Sequence, residues 1–289
     1  SGTLELASIA NDLTWAALNN AGSEVDKNLL FRAALKLREF GYSNRFYLEG
    51  GIEAWINQGY EIFSGVNVPS KAFGEYVEKK CDTPHIKPEL LKKMIDNKDN
   101  VIILDSRPAD EYQMMRVPGG INCPGAELTL RINDLVSDPK TVVVVNCAGR
   151  TRSIIGCQSL INAQISNPVY ALENGTMGWH LAGYTLEYGG RSKIKKFTAK
   201  GHAKARKAVK DIIEKFEIKT INWNTLQRWK KDNQRSTFLF DVRQPDEYKE
   251  GHVNGAVSAP GGQLIQATDQ FIGTLGAKVV LSDYCGVRA

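Results

Sequence analysis

The strongest constraint on the fold of this chain is an internal repeat. Residues 105–128 align without a gap with residues 241–264, which lie 136 positions further along the 289-residue chain. Ten of the 24 aligned positions are identical, which shared composition does not explain. Self-similarity at a fixed spacing indicates repeated structural units. The identical pairs are Asp105/Asp241, Arg107/Arg243, Asp110/Asp246, Glu111/Glu247, Tyr112/Tyr248, Val117/Val253, Gly119/Gly255, Pro124/Pro260, Gly125/Gly261 and Leu128/Leu264.

A second repeat relates residues 48–60 to residues 172–184, at a spacing of 124 positions. Both stretches carry Leu-Glu, then Gly, Trp and Gly-Tyr at matching places. The first part of the chain therefore resembles only the back half of the middle region, and the last part only its front half. The repeats predict that the chain begins within one unit and ends within another. We expect five segments: a partial unit over 1–65 that lacks a catalytic cysteine, a linker helix over 66–83, a complete domain over 84–190, a basic linker over 191–216 and a partial unit over 217–289.

The middle region alternates between two kinds of sequence pattern. Short apolar runs rich in β-branched residues occupy 101–105, 141–146 and 168–172, and such runs are typical of strands buried on both faces of a parallel sheet. Helical patterns lie over 88–97, 150–163 and 176–182, and the first carries its apolar side chains on one side. This alternation predicts the α/β class, with a mainly parallel sheet flanked by helices on both faces in each unit.

Charge is distributed unevenly along the chain. The net charge is +5, but residues 191–210 contain nine Lys or Arg and no Asp or Glu, so the remainder is mildly acidic. One basic segment in an acidic chain argues against nucleic-acid binding as the main role. We expect this segment to be a solvated linker, helical over 199–216, and a contact with a partner or with RNA through it is the second interpretation.

The cysteine pattern and the hydropathy pattern bear on compartment and partners. The chain has five cysteines, an odd number, and no Cys-x-x-Cys, which favours free thiols in a reducing, cytoplasmic setting. The four histidines show no ligand spacing with cysteine, so we expect no metal and no cofactor. The longest apolar runs have four residues, against the roughly 20 of a membrane helix, so we expect no membrane partner.

The segment that follows the strand over 141–146 carries the candidate chemistry. Cys147 stands at the carboxyl end of this strand, where open α/β sheets bind their ligands. Small residues follow it, and then a helix begins with its positive end near the sulfur. Inward N–H groups, the helix end and two arginines would stabilise a thiolate and bind an anion. We expect Cys147 to be catalytic and the substrate to bind to Ala148, Gly149, Arg150, Thr151, Arg152 and Ser153.

Two alternatives apply to these residues. A lone cysteine is usually a small core side chain, but a structural cysteine would not need two arginines within five residues on a glycine-containing loop. Of the two arginines, one can bind the anionic substrate while the other pairs with a carboxylate such as Asp105. Asp105 and Arg107 are therefore expected to support the site structurally.

The chain resembles the rhodanese (sulfurtransferase) superfamily, most of all its multi-domain members. Four blocks carry the resemblance: Asp-x-Arg-x-x-x-Glu-Tyr over 105–112, Val-Pro-Gly-Gly over 117–120, the loop over 147–152, and Leu-Glu-Asn-Gly…Trp…Gly-Tyr over 172–184. The resemblance implies an α/β domain with a five-stranded parallel sheet and a persulfide on the cysteine. The family's usual Gly-His pair is replaced by Met115-Arg116, a change in a mainly structural block.

The implied reaction is sulfur transfer with a covalent intermediate. Cys147 takes a sulfane sulfur from thiosulfate or a similar small anionic donor and passes it to a thiol acceptor or to cyanide. The alternatives are a non-catalytic module for binding or redox sensing, and a phosphatase or arsenate reductase of this fold. Those phosphatases use Cys-x5-Arg, whereas Cys147 and Arg152 form the tighter Cys-x4-Arg. The sequence leaves open which donor and acceptor are physiological and whether two copies of the chain form a homodimer.

The other two units lack the nucleophile. The spacing of 136 positions places Asp283 where the complete domain has Cys147, with Cys285 two residues later. A carboxylate cannot carry a sulfane sulfur, so we expect the last unit to be inactive. In the first unit the equivalent position is Ser23 or Glu24, which predicts one active centre in the chain.

Overall fold

The computed structural model describes residues 24–39, 41–42, 46, 48–60, 66–190, 197–232 and 234–289. The chain divides into two compact units, one formed by residues 1–68 with 269–273 and the other by residues 69–268 with 274–289. Ser23 and the charged stretch 191–196 lie outside the described residues. No helix in the described ranges is long and apolar enough to cross a membrane.

The first unit contains two described helices, α1 (Glu24–Glu39) and α2 (Gly51–Asn57). Gly50 precedes α2 with a φ of 72°, a conformation that glycine adopts at no steric cost. The rings of Trp55 and Tyr60 lie 4.6 Å apart, and their repeat counterparts Trp179 and Tyr184 lie 4.9 Å apart. The second repeat therefore corresponds to a shared packing motif.

The second unit contains the remaining elements, except that Val68 and residues 269–271 belong to the first unit. Its helices are α3 (Val68–Cys81), α4 (Pro88–Asp96), α5 (Ala109–Met114), α6 (Glu127–Leu135), α7 (Thr151–Asn162), α8 (Gly175–Leu181), α9 (Ala199–Lys215), α10 (Trp223–Lys230), α11 (Pro245–Glu250), α12 (Gly261–Gln266) and α13 (Thr268–Phe271), the last of which extends into the first unit. Its strands are β1 (His85–Ile86), β2 (Val101–Asp105), β3 (Ile121–Asn122), β4 (Val142–Asn146), β5 (Val169–Leu172), β6 (Thr237–Asp241), β7 (Val257–Ser258) and β8 (Lys278–Ser282).

The middle region folds around a five-stranded sheet in the order β1-β5-β4-β2-β3, with every pair parallel. The apolar runs form its centre, and Val101 pairs with Val142 at the start of that register. Alternate residues point to opposite faces of a strand, so these runs supply two cores. Val143 and Val145 pack with Leu128 and Leu160 on one face, whereas Val144 packs with Leu91 and Trp179 on the other. The predicted parallel sheet with helices on both faces is confirmed.

A three-stranded parallel sheet, β7-β6-β8, repeats the arrangement β3-β2-β4. Asp241 pairs with Ser282 at its end, as Asp105 pairs with Asn146 in the larger sheet. The smaller sheet differs in how much of its surface is covered. Val143 and Val145 are fully buried, whereas their counterparts Val279 and Leu281 are 42% and 40% exposed.

The two sheets belong to one compact unit and meet through equivalent segments. Gly125, just before α6, lies against Gly262 of α12, and a Cβ on Gly125 would be 3.2 Å from the Gly262 Cα. A Cβ on Gly261 would be 2.8 Å from the Cβ of Ala126. The start of α6 and the start of α12 therefore approach each other closely, because both carry the Pro-Gly of the repeat.

Helix α9 packs on α6, where Ala205 lies in a buried apolar cluster with Leu130. Thr198 caps α9 by accepting a hydrogen bond from the Gly201 amide at 2.9 Å, and its own hydroxyl donates to Asp134 of α6 at 2.6 Å. Ala205 is fully buried at the contact. Within the segment predicted as a basic linker over 191–216, residues 199–215 therefore form a helix, as expected, and this helix packs on α6 instead of standing free in solvent.

Candidate active site

Cys147 follows the last residue of β4 directly, and α7 begins four residues later at Thr151. Its side chain is 2% exposed, and the Sγ lies 3.5 Å from the Ser153 hydroxyl. That hydroxyl donates a hydrogen bond to the Arg150 carbonyl at 2.8 Å. The first backbone bond of α7 runs from Ile154 to Arg150, so the N–H groups of the first turn have no acceptor within the helix.

The carbonyl groups of the loop are held by the first turn of α8. The Cys147 carbonyl accepts hydrogen bonds from the Thr176 amide at 2.8 Å and from the Thr176 hydroxyl at 3.0 Å. The Ala148 carbonyl accepts one from the Met177 amide at 3.0 Å. Because these two carbonyls face α8, the N–H groups of the same two peptide planes point away from α8.

Gly175 makes the approach of α8 to the loop possible. Its φ is 55°, in the left-handed region. A Cβ at this position would lie 2.6 Å from the Gly149 carbonyl oxygen and closer still to the Cys147 carbonyl oxygen, and real Cβ atoms essentially never come within 3.0 Å of such atoms. The repeat places Gly51, with a φ of 58°, at the equivalent position of the first unit. The two glycines therefore share a left-handed backbone conformation, whereas the close approach is specific to Gly175, because a Cβ on Gly51 would have no described atom within 4 Å.

A buried polar network supports the end of β4. Asp105 accepts two hydrogen bonds from the Arg107 guanidinium, at 2.9 and 2.6 Å, and one from the Asn146 side chain at 3.1 Å. The Asn146 amide nitrogen also lies 3.0 Å from the Thr176 hydroxyl. Asp105 and Arg107 are each about 1% exposed. These contacts link the ends of β2 and β4 with α8. The charge of the Asp105 carboxylate is balanced by the Arg107 guanidinium.

Both loop arginines form ion pairs, and neither pairs with Asp105. Arg150, at the start of α7, forms an ion pair with Glu78 of α3 and keeps 46% of its side chain exposed. Arg152 is only 7% exposed and binds both oxygens of Glu111 at 2.7 Å. Asp105, suggested from the sequence as a partner, is occupied by Arg107 because that guanidinium lies two residues away on the same loop.

The surroundings of Arg152 stabilise the ionised form of its guanidinium. Burial alone lowers the pKa of this guanidinium, but the hydrogen bonds and the charge of Glu111 raise it, as do the nearby Cys147 and Asp105, so that the pKa lies above its usual value. The side chain also donates a hydrogen bond at 2.7 Å to the Gln263 amide oxygen on α12. Nothing in the local sequence marks Gln263 or Glu78 as a partner, because each lies far from its arginine along the chain.

The loop after β8 is the repeat counterpart of the loop after β4, and its backbone amides bind a carboxylate. The Asp283 carboxylate accepts hydrogen bonds from the Val287 and Arg288 amides at 2.9 and 2.8 Å and from the Cys285 amide at 3.3 Å. Burial alone raises the pKa of Asp283, but these hydrogen bonds, with those of Cys285 and the charge of Arg288, lower it overall. The amides of Cys285, Val287 and Arg288 thus form an anion-binding loop in the partial unit over 217–289. The anion that they bind is the Asp283 carboxylate of the same loop.

A profile of the rhodanese-like domain matches residues 87–182 and 223–289. The chain belongs to the rhodanese-like domain family. A crystal structure of a thiosulfate sulfurtransferase from Pseudomonas aeruginosa superimposes with a TM-score of 0.85 and is 46% identical over 93% of this chain, which spans 50% of that protein.

Two curated proteins match shorter parts of this rhodanese-like chain. An HTH-type transcriptional regulator from Mycobacterium tuberculosis is 34% identical over 89 residues, which are 31% of this chain and 38% of that protein. A putative sulfur carrier protein from Bacillus subtilis, YrkF, is 23% identical over 125 residues, which are 38% of this chain and 68% of that protein. The chain therefore spans well under two thirds of the regulator.

Of the other four thiols of this rhodanese-like chain, three are buried and one is exposed. Burial raises the pKa of Cys157 to about 12. Burial, followed by the charge of Asp283, raises the pKa of Cys285 to about 11. Cys123 is 1% exposed, and burial raises its pKa further still, whereas Cys81 is exposed at the end of α3. Among the described residues no group of three His, Cys, Asp or Glu side chains could hold a metal ion.

Proposed function

We propose that this chain carries a sulfurtransferase centre in which Cys147 accepts a sulfane sulfur from thiosulfate or a similar donor. The observation that carries the proposal is the anion cradle. In the last unit the amides of Cys285, Val287 and Arg288 bind a carboxylate at the position of the nucleophile. The repeat maps these amides onto the corresponding loop around Cys147, namely Gly149, Thr151 and Arg152.

The reaction proceeds in two displacements at sulfur. The Cys147 thiolate attacks the outer sulfur of thiosulfate, the S–S bond of the donor breaks, and sulfite leaves with the electron pair. The remaining group is a persulfide whose outer sulfur carries the negative charge. Cyanide or an acceptor thiolate then attacks this sulfur, which releases thiocyanate or a new persulfide and regenerates the thiolate. The charge is balanced in both steps, and no oxidant or reductant is consumed.

The loop residues take different parts in this proposal. The amides over 148–153 bind the anionic sulfur, because backbone N–H groups that point at a developing charge need no reorganisation. Arg150 is half exposed, and it contacts the donor by exchanging Glu78 for the sulfonate group. The sequence leaves open which of Arg150 and Arg152 binds the substrate through its side chain. Since Glu111 and Gln263 hold the side chain of Arg152, this residue fixes the first turn of α7 and contributes its amide.

Mass spectrometry after incubation with thiosulfate tests the proposal directly. We expect one added sulfur, about 32 Da, on the Cys147 peptide, and thiosulfate:cyanide turnover that the Cys147→Ser variant lacks. Cys81→Ser is the matched control, because it removes an exposed thiol outside the loop. Absence of the adduct from wild-type protein would leave the binding or redox-sensing module as the better interpretation, and turnover of an aryl phosphate would favour the phosphatase.

A further inference from the structure

The active loop and its inactive counterpart are joined by two equivalent contacts. Arg152 and Arg288 occupy the same repeat position, as do Glu127 and Gln263. Arg152 donates to the Gln263 amide oxygen at 2.7 Å, and the Arg288 Nε lies 2.6 Å from the Glu127 carboxylate. Each arginine therefore reaches from its own loop to the first turn of a helix of the other sheet. We call these four residues the arginine clasp.

The two halves of the arginine clasp differ in charge. Arg288 lies within 3.3 Å of three carboxylates, those of Glu127, Glu247 and Asp283. For Arg152 the described residues supply one carboxylate, Glu111, and the neutral amide of Gln263. The positive charge of Arg288 therefore faces three negative charges, whereas that of Arg152 faces one.

Arg152 also retains an unused donor. Its side chain is 7% exposed, and among the described residues its buried Nε has no hydrogen-bond partner. The same holds for the Arg288 Nε, whose approach to Glu127 is an ion-pair contact, but no described carboxylate lies beside the Arg152 Nε in this way. A buried, ionised group with incomplete partners exerts a field that solvent screens only weakly. The nearby charge of Cys147 is among the causes that raise the pKa of Arg152, although burial, the largest cause, lowers it. The two groups are therefore close enough to interact.

We propose that Gln263, from the unit that lacks the nucleophile, is a positioning residue for the catalytic loop. Its amide oxygen fixes the Arg152 guanidinium from across the contact, and its neutrality leaves the charge of that guanidinium available to favour an anion on Cys147. The consequence for thiosulfate rests on the proposed function above. The effect on the Cys147 thiolate itself does not.

Gln263→Glu separates this role from simple packing. The substitution keeps the size of the side chain and the contact with Arg152, and a charge-assisted hydrogen bond is stronger than a neutral one. If Gln263 only joined the two sheets, the variant would be at least as stable and as active as wild type. If its neutrality matters, a second carboxylate on Arg152 weakens the binding of an anion at Cys147.

Alkylation of Cys147 measures this effect without sulfur transfer. Iodoacetate is an anion and iodoacetamide is neutral, so the ratio of their rates at the Cys147 peptide reports the local potential. We expect Gln263→Glu to lower this ratio about tenfold at low salt, the equivalent of about 1.4 kcal/mol, with a smaller effect at high salt. Gln227→Glu is the matched control, since it adds the same charge on α10, a helix that packs against the three-stranded sheet. A ratio within about twofold of wild type in Gln263→Glu overturns the proposal.

Kinetics extend the test to the proposed reaction. We expect the KM for thiosulfate to rise about tenfold in Gln263→Glu and about threefold in Gln263→Ala, which loses the contact but adds no charge. We expect Gln227→Glu to match wild type. If wild-type protein shows neither turnover nor a sulfur adduct, the proposed function fails. The alkylation ratio still decides the role of Gln263.

Discussion

Gly175→Ala perturbs the loop at the point where α8 approaches it. The new Cβ would lie 2.6 Å from the Gly149 carbonyl oxygen and closer to that of Cys147, and both atoms belong to the backbone. Neither can swing away as the end of a flexible side chain can. The φ of 55° adds about 1–2 kcal/mol for a non-glycine residue, and overpacking adds about 1–3 kcal/mol.

Together these costs predict a loss of about 2–5 kcal/mol in the free energy of unfolding. In a unit of 150–250 residues, each kcal/mol lowers Tm by about 2–4 °C. If the loop moves instead to relieve the contact, the loop amides leave their positions around Cys147. A displacement of about 1 Å at a reacting centre costs about 100-fold in rate. Thermal unfolding followed by circular dichroism and thiosulfate:cyanide turnover measure the two effects.

Gly183→Ala is the matched control for this prediction. Gly183 follows α8, has a φ of 83°, and has no atom within 4 Å of an added Cβ. It therefore carries the backbone strain without the steric clash. We expect Gly183→Ala to lose about 1–2 kcal/mol in the free energy of unfolding and to keep its turnover. If Gly175→Ala and Gly183→Ala behave alike in both assays, the reasoning about the loop is refuted.

Three further predictions concern the ionic contacts. Although burial alone raises the pKa of Asp283, its hydrogen bonds lower it overall, so its stabilisation is present above the unfolded value of about 3.9 and is lost as the pH falls through the folded pKa. The difference in urea unfolding between wild type and Asp283→Asn should therefore be constant from pH 5 to 7 and shrink below about pH 4, and a constant difference would contradict this. Because burial raises the pKa of Cys285 to about 11, we expect iodoacetamide to modify it at pH 8 only after unfolding, and labelling of the folded protein would exclude that environment. Glu111→Gln leaves the buried Arg152 without a carboxylate. Because the Glu111 side chain is itself 32% exposed, we expect a loss of about 1.5–3 kcal/mol in the free energy of chemical unfolding, whereas the exposed Asp110→Asn should lose under about 0.5 kcal/mol.

The sequence was informative where the chemistry is local. The run over 101–105 became β2 with the expected bounds, and the start of α7 lies one residue from its expected position. Two-residue strands such as β1 and β3 are too short to show periodicity, so they could not be predicted. The placement of Cys147 at the end of β4 followed from the order of a strand, small residues and a helix. The roles of the site residues remain proposals.

Partners across the fold were not accessible from sequence in the same way. Arg152 and Gln263 are separated by 111 positions, and Arg150 and Glu78 by 72. Nothing in local composition indicates which carboxylate a guanidinium reaches, because the choice depends on how helices α3 and α12 pack. The repeat held part of this information, since Glu127 and Gln263 occupy equivalent positions, but the contact became visible only with the two sheets in place.

The close approach of the two Pro-Gly segments joins two copies of one sequence pattern within a single polypeptide. In an assembly of identical subunits, a two-fold contact must use the same residue on both sides, so a substitution appears twice. In a tandem chain each side can change alone, and here one side carries Glu127 and the other Gln263. Covalent duplication thus permits an asymmetry that no homodimer could encode, in which one copy specialises as support for its neighbour.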